Sequence, residues 1–178
     1  MKWVILGITG SIAAYKSADI LRKLSEKGLK VSVVMTKEAE NFITPLTLSS
    51  LLGEKVYTGM FNQDEASHEM PHIRLAEEAD ILLIAPATAN MIAKIACGLA
   101  DDLLTCIALG TKAKILIAPA MNTEMYHNKI VQENIGKLKS LGMNFIQPIK
   151  AKLVCGTVGE GHIAEIEDIV AAVLENLK

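Results

Sequence analysis

The sequence predicts an α/β protein built on a parallel sheet. Short apolar runs alternate with stretches whose apolar residues recur at helical spacing, the pattern of βαβ units joined by right-handed crossovers. The apolar runs are nearly continuous, as in strands covered on both faces. At 178 residues the chain is long enough for one core, and 1–178 reads as a single domain.

In order, "KWVILGI" (2–8) reads as the first strand, and an amphipathic helix follows with Ile12, Tyr15, Ile20, Leu21 and Leu24 on one side, ending at Gly28. "KVSVVMT" (30–36) is the second strand. Residues 38–60 read as short helices and connections punctuated by Pro45 and Gly53. A helix from His72 leads into the third strand, "ADILLIAPAT" (79–88). A helical stretch weakened at Gly98 then leads to "AKILIAPAMN" (113–122). A helix ending at Gly142, a short strand in "MNFIQP", a glycine-rich loop over 149–162 and a closing amphipathic helix complete the chain.

Composition narrows the function. Net charge is -2 with no basic cluster, which argues against a surface for nucleic acid. No apolar run reaches the ~18–20 residues of a membrane span. The start reads as a strand and not a signal sequence, so a reducing, cytoplasmic setting is expected, with Cys97, Cys106 and Cys155 as free thiols. Mean hydropathy of +0.32 suggests a face buried between copies.

Ligands of parallel sheets bind beyond the strands' carboxyl ends, and three such ends carry unusual punctuation: "GITGS", "IAPATAN" and "IAPAMN". Gly10 and Ser11 fit either a phosphate turn or an ordinary capped βα turn. Thr88 and Asn90 fit either ligand hydrogen bonds or helix capping. Asn122 is either a turn residue or an amide aimed at a carboxylate. Spacing does not choose among His68, His72, His127 and His162, and no Cys/His pairing has metal spacing. Cys155 stands out as a thiol ahead of Gly156, Gly159 and Gly161.

"GSIAAYK", "HIRLAEEAD", "APATANMIAKIACGLADDLLT", "PAMNTEMY" and "CGTVGEG" occur in this order from about Ile5 to the final helix. The series resembles the homo-oligomeric flavin-containing cysteine decarboxylases. The resemblance implies a three-layer, Rossmann-like (flavodoxin-like) subunit that binds FMN. It implies that Gly10, Ser11, Ile12, Thr36, Lys37, Thr88, Ala89, Asn90, Met91 and Ala120 hold the cofactor, with Met91 where a threonine is frequent. It assigns His72 as the active-site histidine, Asn122 to the substrate carboxylate, Cys155 as a late proton donor, and Lys152, Leu153 and Val154 to a clamp, with the glycines as hinges of a closing flap. Cys97 and Cys106 are left to helix packing.

The implied reaction is oxidative decarboxylation of 4′-phosphopantothenoylcysteine to 4′-phosphopantetheine in coenzyme A biosynthesis, through thioaldehyde and enethiol intermediates. Trimers, or dodecamers of trimers, are the implied assemblies, with the cofactor at subunit contacts. A fused synthetase domain has no room in this length, so the ligase is expected either as a separate protein or on a longer chain from which this domain is cut. Relatives that decarboxylate peptidyl cysteine need not retain the reducing cysteine, the prenyltransferase relatives have no use for "PAMN" with a late cysteine, and the regulatory relatives lack one of the three site residues.

Overall fold

The computed structural model describes residues 1–60, 70–152 and 158–178, with the backbone alone for Lys152 and Val158. Five parallel strands form one sheet in the order β2-β1-β3-β4-β5: β1 Trp3–Ile8, β2 Lys30–Met35, β3 Ile81–Ala87, β4 Lys114–Pro119 and β5 Asn144–Phe145. That is the doubly wound order of the flavodoxin type.

The helices are α1 Ser17–Glu26, α2 Pro45–Leu52, α3 Pro71–Glu78, α4 Ala89–Cys97, α5 Leu103–Gly110, α6 Thr123–His127, α7 Lys129–Ser140 and α8 Ile166–Asn176. They cover both faces of the sheet. Val4, Leu6 and Ile8 point into a core shared with α1, α2 and α8, while Trp3 and Ile5 point into a core shared with α3, α4, α5 and α7. A strand covered on both sides has no polar face to show, so its residues are apolar at every position.

Three expectations change. The first helix begins as a 3₁₀ turn, Ile12–Lys16, so Ile12 and Tyr15 are exposed rather than packed with Ile20, Leu21 and Leu24. The stretch around Gly98 is two helices: Gly98 ends α4 with φ of 72°, and Asp102 starts α5 through a capping box with Thr105.

The segment 149–162 is not simply a loop. Ile149–Lys152 (β6) and Val158–His162 (β7) pair as an antiparallel hairpin. Its glycines allow close packing. A Cβ on Gly159 would lie 2.3 Å from Thr123 Oγ1, and one on Gly161 the same distance from Met121 O. Gly161 also has φ of 132°, a conformation that favours glycine. Between these strands, 153–157 lie outside the described residues, and Leu153, Val154 and Cys155 with them.

Candidate active site

A cleft of about 710 Å³ runs across the carboxyl ends of β2, β1, β3 and β4, large enough for a cofactor-sized ligand. Each strand end contributes a turn.

At the β2 and β1 end stand Thr36, Gly10, Ser11 and Ile12. Thr36 is tied into the sheet, its N–H donating to Ile8 O at 3.0 Å, yet its buried Oγ1 has no hydrogen-bond partner. A buried hydroxyl of this kind is costly unless a ligand meets it. Ser11 caps the 3₁₀ turn, its Oγ accepting from Ala13 N at 3.3 Å, and its own hydrogen can donate outward. A Cβ on Gly10 would sit 2.5 Å from Glu38 Cβ. Glycine there keeps the β1 turn pressed against the β2 turn, a cradle for an anion beside backbone N–H groups. Lys37, also assigned to this end, is exposed and does not line the cleft.

At the β3 end the ladder to β4 shifts between Ile84 and Ala87. Ser17 Oγ donates to Ala85 O at 2.9 Å, and Thr9 Oγ1 donates to Pro86 O at 2.7 Å while accepting from Thr88 N at 3.0 Å. Thr9 and Ser17 are buried, and they hold this turn against the β1 turn. Sequence reasoning passed over both; for Thr9 the hydroxyl beside Gly10 was the available signal, and nothing local marks Ser17. Thr88 caps α4 by accepting from Met91 N at 3.3 Å, and Ala89, Asn90 and Met91 complete this wall.

The same wall holds Asp102, whose carboxylate accepts from Thr105 N at 2.8 Å and from Lys94 Nζ at 3.0 Å. Lys94 also reaches Asp101 at 2.8 Å. Burial alone would lower the Lys94 ammonium, but the hydrogen bonds it donates to its two carboxylate partners, with their charge, outweigh that and raise it. The hydrogen bond from Lys94 holds the Asp101 carboxyl below its ordinary range.

At the β4 end Ala120 donates to Ala87 O at 3.0 Å, and Asn122 Oδ1 accepts from Glu124 N at 2.8 Å, capping α6. The capping reading of Asn122 therefore holds, and the residue also lines the cleft. Gly161 and His162 of β7 close this end, with Met121 N donating to Gly161 O at 3.0 Å.

His72 does not line the cleft of its own chain. It is the second residue of α3, and its buried Nδ1 has no hydrogen-bond partner. His68, like Cys155, lies outside the described residues. Cys97 is exposed at the end of α4, so it does not serve helix packing; Cys106 is half-buried with Sγ 3.8 Å from Met60 Sδ. Burial pushes the Cys106 thiol up, helped by the nearby Asp102 and Asp101. Among the described residues no cluster of His, Cys, Asp and Glu could hold a metal ion, and no helix is long and apolar enough to cross a membrane.

A family described as Flavoprotein matches residues 1–178. The coenzyme A biosynthesis bifunctional protein of Vibrio vulnificus is 46% identical over 96% of this chain and 42% of its own length. The chain thus spans less than half of the first curated relatives it matches. A probable phosphopantothenoylcysteine decarboxylase of Streptococcus mutans is 43% identical over 99% of both chains. Among solved structures, a mutant PPC decarboxylase complexed with pantothenoylaminoethenethiol has a TM-score of 0.87 at 34% identity, covering 98% of this chain and 97% of its own. The FMN binding protein AtHal3 has a TM-score of 0.84 at 35% identity, covering 98% and 95%.

Proposed function

Because the chain belongs to the Flavoprotein family, we propose that it is a single FMN-dependent domain that decarboxylates 4′-phosphopantothenoylcysteine to 4′-phosphopantetheine in the cytoplasm. The observation that carries this is the pairing, in one cleft, of an unsatisfied anion cradle at Thr36 with the capped Asn122 at the other end. The named relatives of similar sequence and fold agree with it.

The residues present fit FMN. Thr36 Oγ1 and the Ser11 hydroxyl would donate to its phosphate, and Gly10 and Ile12 would line the same turn. Thr88, Ala89, Asn90, Met91 and Ala120 form the wall along which its flat ring would lie. When bound, FMN supplies the two-electron oxidation that turns the substrate's thiol carbon into a thiocarbonyl, which can take up the electrons left by departing CO2. Asn122 holds the substrate carboxylate by its amide and fixes the reacting end of the substrate. Lys152, Leu153 and Val154 clamp the substrate, and Cys155 returns a proton at the last step.

His72, assigned to assist proton transfer or to orient the thiol during oxidation, does not line the cleft of its own chain, so it serves the cleft of a second copy. Ile73 beside it and Leu109 on the adjoining α5 are 49% and 41% exposed, an apolar surface suited to burial in a homo-oligomer. A trimer, alone or in a dodecamer, satisfies this arrangement.

Purified protein with FMN should release CO2 from 4′-phosphopantothenoylcysteine and not from a peptide ending in cysteine. A chain active only on the peptide would replace this reading with the peptidyl-cysteine one. Mixing inactive His72→Gln subunits with inactive Asn122→Asp subunits should restore part of the activity. A mixture that stays inactive after subunit exchange would show that the two residues are not shared across a contact.

A further inference from the structure

His162 is a titratable side chain of the cleft that the reaction outlined above leaves without a task. Its place is fixed closely. Met121 N donates to Gly161 O at 3.0 Å, tying the end of β7 to the turn that carries Asn122. The missing Cβ of Gly161, which would fall 2.3 Å from Met121 O, lets the two backbones approach this far. Across the hairpin His162 pairs with Ile149. The imidazole lines the same end of the cleft as Met121 and Asn122.

Its Nδ1 lies 2.9 Å from Ile163 O. A carbonyl oxygen only accepts, so Nδ1 carries a proton. Nε2 is then the ring atom left for a ligand, an acceptor on the neutral ring and a donor on the charged one.

The charges of the cleft point the same way. Among the described residues its ionisable acids and bases are Tyr15, Lys16, Glu38, Asp102 and His162. Lys16 and Glu38 follow β1 and β2, beside the cradle at Thr36, and Asp102 is already bound to Lys94. The order β2-β1-β3-β4 separates that cradle from the β4 end by about 14 Å, three strand spacings. Among the described side chains, His162 is the residue lining the β4 end that can be positive. Among the described side chains, charged groups on neighbouring elements include Glu160, which pairs at 3.5 Å with His127 of α6, Lys150 on β6, Glu124 on α6 and Glu165 ahead of α8; β6 also carries Lys152, whose side chain lies outside those described. An anion that enters this end loses hydration, and a positive lining side chain offsets that cost.

We propose that His162, in its protonated form, binds an anionic end of the substrate through Nε2 and acts as a positioning residue beside Asn122. This rests on the functional reading given above. The substrate has two such ends, its carboxylate and its 4′-phosphate, and an imidazolium recognises both by the same charge-assisted hydrogen bond.

The test uses the FMN-loaded protein and 4′-phosphopantothenoylserine, an analogue with no thiol to oxidise, together with its dephosphorylated and decarboxylated forms. Calorimetry at pH 6.5 and 8.5 should show His162→Gln weakening the full analogue roughly tenfold at the lower pH. His162→Arg, charged at both values, should restore binding and remove the alkaline loss seen in the wild type. Flavin affinity, read from FMN fluorescence, should stay the same in both variants. The single-anion form that keeps the tenfold loss identifies the end that His162 reads. Unchanged analogue binding in His162→Gln, no rescue by arginine, or a loss of FMN instead of the analogue would overturn the proposal. A wild-type protein that releases no CO2 from the cysteine substrate would fail the functional reading separately.

Discussion

The cleft's β1–β2 end is made by consecutive turns of one chain, whereas its β4 end is assembled from separate pieces. At the first, Gly10 packs on the turn after β2 and Thr36 offers a buried, unsatisfied hydroxyl. At the second, the Asn122 turn is held to a hairpin 40 residues further on by one backbone hydrogen bond, Met121 to Gly161. On the reading above, a histidine from a second copy completes it. A cofactor that stays bound suits a prebuilt cradle; a substrate that enters and leaves suits parts that come together around it. The two ends should therefore fail differently when changed.

The largest difference is expected for Asn122→Asp. Aspartate keeps the oxygen that caps α6, so the fold is retained. On the proposed reading it replaces the amide donor with a negative charge facing the substrate carboxylate. Turnover should fall by at least about 100-fold while FMN stays bound, measured by CO2 release beside the flavin absorbance. Loss of flavin in this variant would mean that the two ends are not independent.

Gly10→Ala probes the other end. The new Cβ, 2.5 Å from Glu38 Cβ, must displace the turn that holds Thr36. FMN affinity should drop roughly tenfold, the scale of a tight overpacked contact. With FMN supplied in excess, turnover should return to near the wild-type rate. A variant that binds FMN normally would separate the cradle from this glycine.

How far the sequence already carried this contrast can be seen residue by residue. Continuous apolar runs revealed the buried strands, because β1 and β3 face a core on both sides. Glycine after a strand and a hydroxyl after glycine revealed the turns at Gly10 and Ser11. The hairpin was hidden because its glycines look like loop residues, whereas Gly159 and Gly161 are small so that β7 can lie against Thr123 and Met121. Thr9 and Ser17 were hidden because their partners, the Pro86 and Ala85 carbonyls, are more than 60 residues away in the chain. The separation of His72 from its own cleft is a matter of tertiary placement that no local pattern encodes.

A smaller effect is expected from Gly161→Ala. Alanine at φ of 132° is strained and meets Met121 O. The hairpin should be pushed off the Asn122 turn, raising KM several-fold, about what 1–2 kcal/mol of strain gives. FMN fluorescence quenching should not change. Equal damage to cofactor and substrate binding would remove the distinction drawn between the ends.

The smallest effect belongs to the wall between them. Lys94, with a side chain 18% exposed, bridges Asp101 and Asp102 and joins the end of α4 to the start of α5. Lys94→Gln should cost about 1 kcal/mol and lower Tm by roughly 2–4 °C near pH 7. The pH window follows from the two shifts. Asp101 is held below its ordinary 3.8, so its share is present above that value and is lost as pH falls through the lower, folded one. Lys94 is held above its ordinary 10.5, so its share is present below that value and is lost as pH rises through the folded one. The Tm gap between wild type and variant should be constant from pH 5 to 9 and close in acid. If it instead tracked the loading of FMN, Asp102 would belong to the cofactor end and the wall would not be neutral ground between the two.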